Sequence, residues 1–142
     1  MNDAPRRPVG SEGPEAVARL ALARAMAATA SGALILEIGP VVAAEEGVRA
    51  GWHVVHLEAW GDRAAFLREC ARAFDLPDWF GHNWDAFADS LSDVQHLPGT
   101  LVVWAGARAL ADDVRATAAE IFADRADAGP APFLVVDVGT EP

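Results

Sequence analysis

The sequence has one cysteine, no lysine and no tyrosine among its 142 residues. A single cysteine, Cys70, cannot form an internal disulfide, so the fold does not depend on an oxidising compartment. Cys70 shares an apolar helical stripe with Phe66, Leu67 and Phe74, which favours a place in the core over a reactive thiol.

Long apolar runs are also missing, because none approaches the ~20 residues that a membrane span requires. The alanine-rich run over residues 25–36 has the hydrophobicity of a signal-peptide core. However, Asp3, Glu12 and Glu15 precede it, which a secretory leader does not favour. We therefore expect a cytoplasmic protein that does not bind membranes.

Cations are scarce as well, and the formal net charge is −10. This balance argues against direct binding to nucleic acid or to an anionic membrane and favours a basic protein as partner. The hydrophobic content of 52% fits a packed core. A chain of this length is expected to form one compact domain that buries roughly two-thirds of its unfolded surface.

Catalytic and cofactor motifs are hard to find, since the sequence has no P-loop, no dinucleotide-binding glycine pattern and no CxxC. His53 and His56 are three apart on a predicted strand, so their side chains point to opposite faces and cannot share a metal. A cation site built from His82, Asp78 and Asp85 would lack further ligands at defined spacing. We expect no enzyme activity, no cofactor and no metal.

What the sequence does contain is an alternation of short apolar runs with helical segments. The runs predict strands at residues 33–38, 52–57, 100–104 and 133–138. Strands that alternate with helices predict an α/β fold with a parallel sheet and right-handed crossovers.

The helices are predicted from periodicity and capping residues, at 14–30, 43–50, 62–74, 107–110 and 112–126 besides the one that starts near residue 84. In the first of them, Val17, Leu20 and Ala21 are spaced for burial. Asp62 is the expected N-cap of the helix over 62–74, and Asp112 or Asp113 that of the long helix near the C-terminus.

The most informative stretch covers residues 76–91. Pro77 and Gly81 predict a shaped turn, and Asn83 stands where an N-cap belongs. An apolar stripe on the following helix comprises Trp84, Phe87, Ala88 and Leu91. Trp84 and Phe87 are therefore expected in the core.

On an adjacent face of this helix, Asp85, Asp89 and Asp93 recur every fourth residue. Like charges at this spacing destabilise a helix by roughly 0.2–0.5 kcal/mol per pair. No arginine lies between Arg72 and Arg108 to offset them locally. The row indicates either a surface for a cationic partner or a solvated acidic face.

These residues carry a resemblance to a known family. The stretch LPDWFGHNWDA over residues 76–86, followed by Asp89 and Leu91, resembles the signature of the barstar family of ribonuclease inhibitors. Weaker similarity runs from about Trp52 to the C-terminus, so we expect a tail at 1–13, an N-terminal extension at 14–51 and a barstar-like domain at 52–142. The resemblance implies a small parallel sheet packed with helices, and the strand at 33–38 would be added at a sheet edge.

The resemblance also implies that the loop and helix plug the active site of a small basic ribonuclease. Asp89 would occupy the enzyme's phosphate site with support from Asp85, Trp79 would pack on its catalytic histidine, and Asn83 would hydrogen-bond the partner. The partner-binding residues expected from the acidic row and the resemblance together are Trp79, Asn83, Asp85, Asp89, Asp93 and Asp124. As an immunity protein or antitoxin of this kind, the free chain is expected to be a monomer.

The sequence departs from the family's pattern and leaves alternatives open. Ala88 and Val94 stand where barstar itself has tryptophans, and Asp93 stands where it has a glycine, which affects the choice of ribonuclease. Asn83 fits a cap and a partner contact equally, and Asp124 also fits a solvated helix charge. One alternative function keeps the fold but takes an unrelated basic protein or toxin as partner. Another is a small hydrolase that uses Asp85 and Asp89 as acid and base.

Overall fold

The computed structural model describes residues 13–77 and 82–138. Their secondary structure consists of α1 (Pro14–Ala27), β1 (Gly32–Leu36), α2 (Pro40–Arg49), β2 (His53–Glu58), α3 (Arg63–Ala73), α4 (Trp84–Leu91), β3 (Thr100–Ala105), a 3-10 turn (Ala107–Ala109), α5 (Asp112–Asp127) and β4 (Phe133–Val138). No helix in these parts of the chain combines the length and hydropathy needed to cross a bilayer.

The four strands form one parallel sheet in the order β1-β4-β3-β2. The predicted α/β fold with a parallel sheet is therefore confirmed, and the added strand β1 lies at an edge as predicted. All six residues of β3 are buried, because this central strand is covered on both faces.

One face of the sheet carries α3, α4 and α5. Alternate residues of β3, Val102 and Trp104, point to this side and pack with Phe66 of α3, Phe87 of α4 and Phe122 of α5. The four rings form edge-to-face and tilted pairs, as in the contact of Trp104 with Phe122 at 5.2 Å between centroids. This aromatic core fixes the helix that carries the acidic row.

The opposite face is covered by α1 and α2. Leu101 and Val103 of β3 point to this side and pack with Leu22 and Met26 of α1. A charged contact joins the two helices, since the Arg19 Nε–H donates to the nearly buried carboxylate of Glu46 at 2.9 Å. The residues before Trp52 thus contribute a helical layer and an edge strand to the same sheet.

The predicted burial of α1 is wrong. Val17 and Leu20 are 65% and 51% exposed and Ala21 is exposed, whereas Ala18, Leu22 and Met26 are buried. This alanine-rich helix is apolar around most of its circumference, so periodicity does not select one face.

The capping predictions have mixed outcomes. The Asp62 carboxylate accepts a hydrogen bond from the Ala65 amide at 3.0 Å and caps α3 as predicted. Neither Asp112 nor Asp113 caps α5, because Ala111 occupies the N-cap position and both aspartates lie in the first turn. There they still favour the positive end of the helix dipole.

Candidate partner-binding site

The acidic helix α4 begins at a side-chain cap. The Asn83 side-chain oxygen accepts from the Ala86 amide at 2.8 Å, which satisfies one of the free N–H groups of the first turn. The cap predicted for Asn83 is therefore confirmed. A capped first turn fixes where α4 starts, and so fixes the direction in which Asp85 projects.

The inward face of α4 anchors the helix to the aromatic core. Phe87 and Leu91 are 0% exposed, and Phe87 meets Phe66 edge-to-face at 6.0 Å between centroids. Trp84 is only half-buried, with its ring 5.8 Å from that of Phe66. The core position predicted for Phe87 is confirmed, while Trp84 lies at the boundary between core and surface.

The outward face of α4 presents carboxylates to solvent. Asp85 lies in the first turn and Asp89 one turn later, and both side chains are exposed. Asp93 is exposed too, but α4 ends at Leu91, so Asp93 belongs to the turn that follows. The regular helical row is therefore limited to two carboxylates, and the third continues it on non-helical backbone.

Asp124 comes from α5 and is exposed. It lines a groove of about 210 Å³ that runs between the ends of α4 and α5. Ala88 and Ser92 line the same groove from the α4 side. The fold thus brings Asp124 next to the acidic helix, although the two are separated by more than thirty residues in sequence.

Trp79 and the departures from the family's pattern are the remaining predicted features of this surface. Trp79 lies outside the described residues. Of the departures from the family's pattern, Ala88 is exposed on the groove, whereas Val94 is half-buried and packs against the aromatic core.

Arg125 contacts the end of the acidic helix, although the sequence pattern did not identify it as part of this surface. It is buried at 5% exposure, and its guanidinium donates to the carbonyl oxygens of Leu91 and Val94, at and just beyond the end of α4. Burial lowers the pKa of Arg125, but a guanidinium stays protonated in proteins. No arginine is near the acidic row along the sequence, but the fold places Arg125 at the end of α4. The helical spacing did indicate that Arg125 is buried, because it continues the buried stripe of Val114, Ala118 and Phe122 on α5.

The remaining chemistry-bearing side chains include Cys70 and the pair His53 and His96. No group of three metal-ligating side chains occurs in the described parts of the chain. Cys70 is fully buried, and desolvation raises the pKa of its thiol well above the ordinary value, so a thiolate is disfavoured. His53 stacks on His96 with 3.8 Å between ring centroids, a geometry in which the ring nitrogens do not converge on one ion.

Fold and surface together define a small α/β protein that presents carboxylates from a capped, core-anchored helix. The chain belongs to the barstar family, since residues 52–137 match the family model described as barstar, the barnase inhibitor. That family consists of inhibitors rather than enzymes, and its members bind ribonucleases such as barnase. No match was found among curated proteins.

Proposed function

We propose that this chain inhibits a small basic ribonuclease by binding it one-to-one and covering its active site with α4 and the preceding loop. Membership of an inhibitor family supports a protein partner. The observation that carries the proposal is the exposure of Asp85 and Asp89 on a helix whose inward residues, Phe87 and Leu91, are completely buried.

The binding chemistry follows from the nature of a ribonuclease active site. Such a site binds phosphate through arginine, lysine and histidine side chains, and a carboxylate can accept the same charge-assisted hydrogen bonds. Asp89 fills the phosphate site in this proposal, and Asp85 supports it from the neighbouring turn. Because the helix is anchored by its core face, little ordering entropy is lost on binding.

Neighbouring residues extend the proposed contact. Asp93 and Asp124 flank the two central carboxylates from the following turn and from α5. Asn83 combines its capping role with a contact to the partner, and Trp79 supplies an aromatic contact from the loop. The hot spot is expected at Asp89, with smaller effects at the periphery, because buried central contacts dominate interface energies.

Long-range electrostatics favour the same partner. The net charge of −10 attracts a basic enzyme and repels its RNA substrate. We further propose that the free protein is a cytoplasmic monomer that protects the cell producing it, in the manner of an immunity protein or antitoxin.

Titration of ribonuclease activity tests the proposal. A small basic ribonuclease of the barnase type is assayed on RNA with increasing amounts of the chain, and we expect complete inhibition at one equivalent. Asp89→Ala should weaken the inhibition by a free energy of at least ~2 kcal/mol. Glu15→Ala, which removes one exposed carboxylate from α1, is the matched control and should inhibit like the parent.

Three outcomes would contradict the proposal or part of it. Full ribonuclease activity at a large excess of the chain would exclude inhibition of that enzyme. Equal binding of the parent to basic proteins with no nuclease activity would instead favour the alternative of an unrelated basic partner. An equal loss in Asp89→Ala and Glu15→Ala would assign the effect to net charge rather than to Asp89.

A further inference from the structure

The side chain of Arg125 contacts four backbone carbonyl groups from two segments of the chain, residues 91–94 and 128–131. Its Nε–H donates to Leu91 at 3.0 Å, and its terminal nitrogens donate to Val94, to Ala128 at 2.9 Å and to Ala131 at 3.4 Å. The guanidinium also lies over the Phe133 ring, 4.8 Å from its centroid. A forked, five-donor cation suits this many acceptors, and an ammonium group does not.

Arg125 joins the C-termini of two helices, because it donates to Leu91 at the end of α4 and to Ala128 at the end of α5. The last carbonyl groups of α4 and α5 have no intrahelical partners and carry the negative end of the helix dipole. Arg125 lies in the last turn of α5, while α4 has no basic residue in its own last turn. One buried cation therefore donates hydrogen bonds to carbonyl groups at the C-termini of both helices.

A second polar side chain, that of Gln95, joins the same two turns. The Gln95 side chain donates to the Ser92 carbonyl at 3.1 Å and accepts from the Ala131 amide at 3.2 Å. Gly129 leaves room for it, because a Cβ at that position would come within 2.7 Å of the Gln95 amide nitrogen. The turn after α4 is thus bound to the turn after α5 by two polar side chains.

From this geometry we infer that Arg125 is a positioning residue for the acidic surface: it holds the end of α4 and the turn over 92–94 in the arrangement that the partner binds. Asp89 lies two residues before Leu91, and Asp93 lies between Leu91 and Val94, whose carbonyl groups both accept from Arg125. Losing these four hydrogen bonds would free the segment that carries both carboxylates. This inference rests on the proposed function as far as binding is concerned, but its structural part does not.

Two variants and a matched control test the inference. Arg125→Met keeps an unbranched stem and removes every donor, and Arg125→Lys keeps the charge without the fork. Arg115→Met is the control on the same helix, since Arg115 donates only to Asp112 in the neighbouring turn among the hydrogen bonds described. Amide hydrogen exchange of each folded protein is measured together with its affinity for the ribonuclease that the parent inhibits.

We expect a local effect in Arg125→Met. Exchange of the Ser92, Asp93 and Val94 amides should quicken at least about tenfold relative to amides of β3 and β4. The reason is that the carbonyl groups of this turn lose the hydrogen bonds that Arg125 donates. Affinity should fall at least about tenfold, mainly through faster dissociation. Arg125→Lys should restore part of both losses, and Arg115→Met should change neither.

Uniformly faster exchange across the whole chain would reduce Arg125 to a general stability role and overturn the inference. Unchanged exchange at 92–94, or unchanged affinity despite local opening, would overturn it as well. Should Arg125→Met fail to fold, Arg125→Lys decides by the same two readouts. If the parent does not inhibit the ribonuclease, the proposed function fails by itself, while the exchange pattern still judges the positioning role.

Discussion

Arg125 on α5 donates its Nε–H to the carbonyl oxygen of Leu91, the last residue of α4, although the two residues are 34 apart in the chain. A helix of eight residues has little stability of its own in water. α4 is therefore stabilised by three contacts together: the cap at Asn83, the burial of Phe87 and this tertiary hydrogen bond. The acidic surface depends on the whole fold, not on the local sequence alone.

A first prediction concerns the helical layer before Trp52. Leu22→Ala should lower the free energy of unfolding by about 2–5 kcal/mol, because Leu22 is fully buried between α1 and the sheet. Leu20→Ala, the same change two residues earlier at a half-exposed site, should cost less than about 0.5 kcal/mol. Urea unfolding of both variants measures the difference. Equal losses would mean that α1 is not packed as described.

A second prediction concerns the close approach of α2 to the sheet. Glycine-to-alanine changes usually stabilise helices, but a Cβ on Gly47 would lie 2.6 Å from a Val54 methyl carbon and 2.8 Å from one of Leu101. Val54 is β-branched and cannot easily turn away. Gly47→Ala should therefore destabilise the fold by about 1–3 kcal/mol. Val48→Ala, at the exposed neighbouring position, should have little effect, and a gain in melting temperature for Gly47→Ala would contradict the predicted overpacking.

The sheet could be predicted from the sequence because each strand is a short apolar run with glycine or proline nearby. Residues 133–138 are buried except for a half-exposed Asp137, and such a run fits only a covered strand. The caps at Asp62 and Asn83 were also predictable, since each depends on a bond to a residue three positions on.

What could not be predicted depends on contacts distant in sequence. Local periodicity cannot decide which face of an alanine-rich helix meets the sheet, and so it mistook Leu20 for a core residue in place of Leu22. Nor can it show that Arg125 meets Leu91, or that Asp124 lines a groove with Ala88. The acidic row was predicted one turn too long because nothing local to Asp93 indicates that α4 ends at Leu91.

A third prediction concerns acid stability. Burial, and secondarily the charge of the stacked His96, lowers the pKa of His53 below its ordinary value of 6.5. The unfolded chain therefore binds this proton more readily, so the contribution of His53 to stability is complete above pH 6.5 and is lost as pH falls from there through the lowered pKa. His53 should therefore contribute a fall in melting temperature on acidification over this range. His96→Ala should make that dependence shallower, and an unchanged slope would contradict the coupling of the two rings.

The last prediction separates steering from contact at the acidic surface. Charges on a protein surface interact over about 30 Å at 0.01 M salt but only about 8 Å at 0.15 M. Association of the parent with a basic ribonuclease should therefore slow by about tenfold or more between these salt concentrations, while dissociation changes much less.

Asp89→Ala should act mainly on dissociation, because Asp89 is the proposed central contact. We expect the binding free energy to weaken by at least ~2 kcal/mol. This is the magnitude typical of interface hot spots, for which the barnase–barstar pair of this family is one of the known examples. The same change should leave stability equal or raise it by roughly 0.2–0.5 kcal/mol, because it removes like-charge repulsion with Asp85. Stopped-flow association, dissociation by competition and thermal melts of parent, Asp89→Ala and Glu15→Ala measure all three quantities. If Asp89→Ala slowed association without hastening dissociation, Asp89 would belong to the steering field and not to the phosphate site.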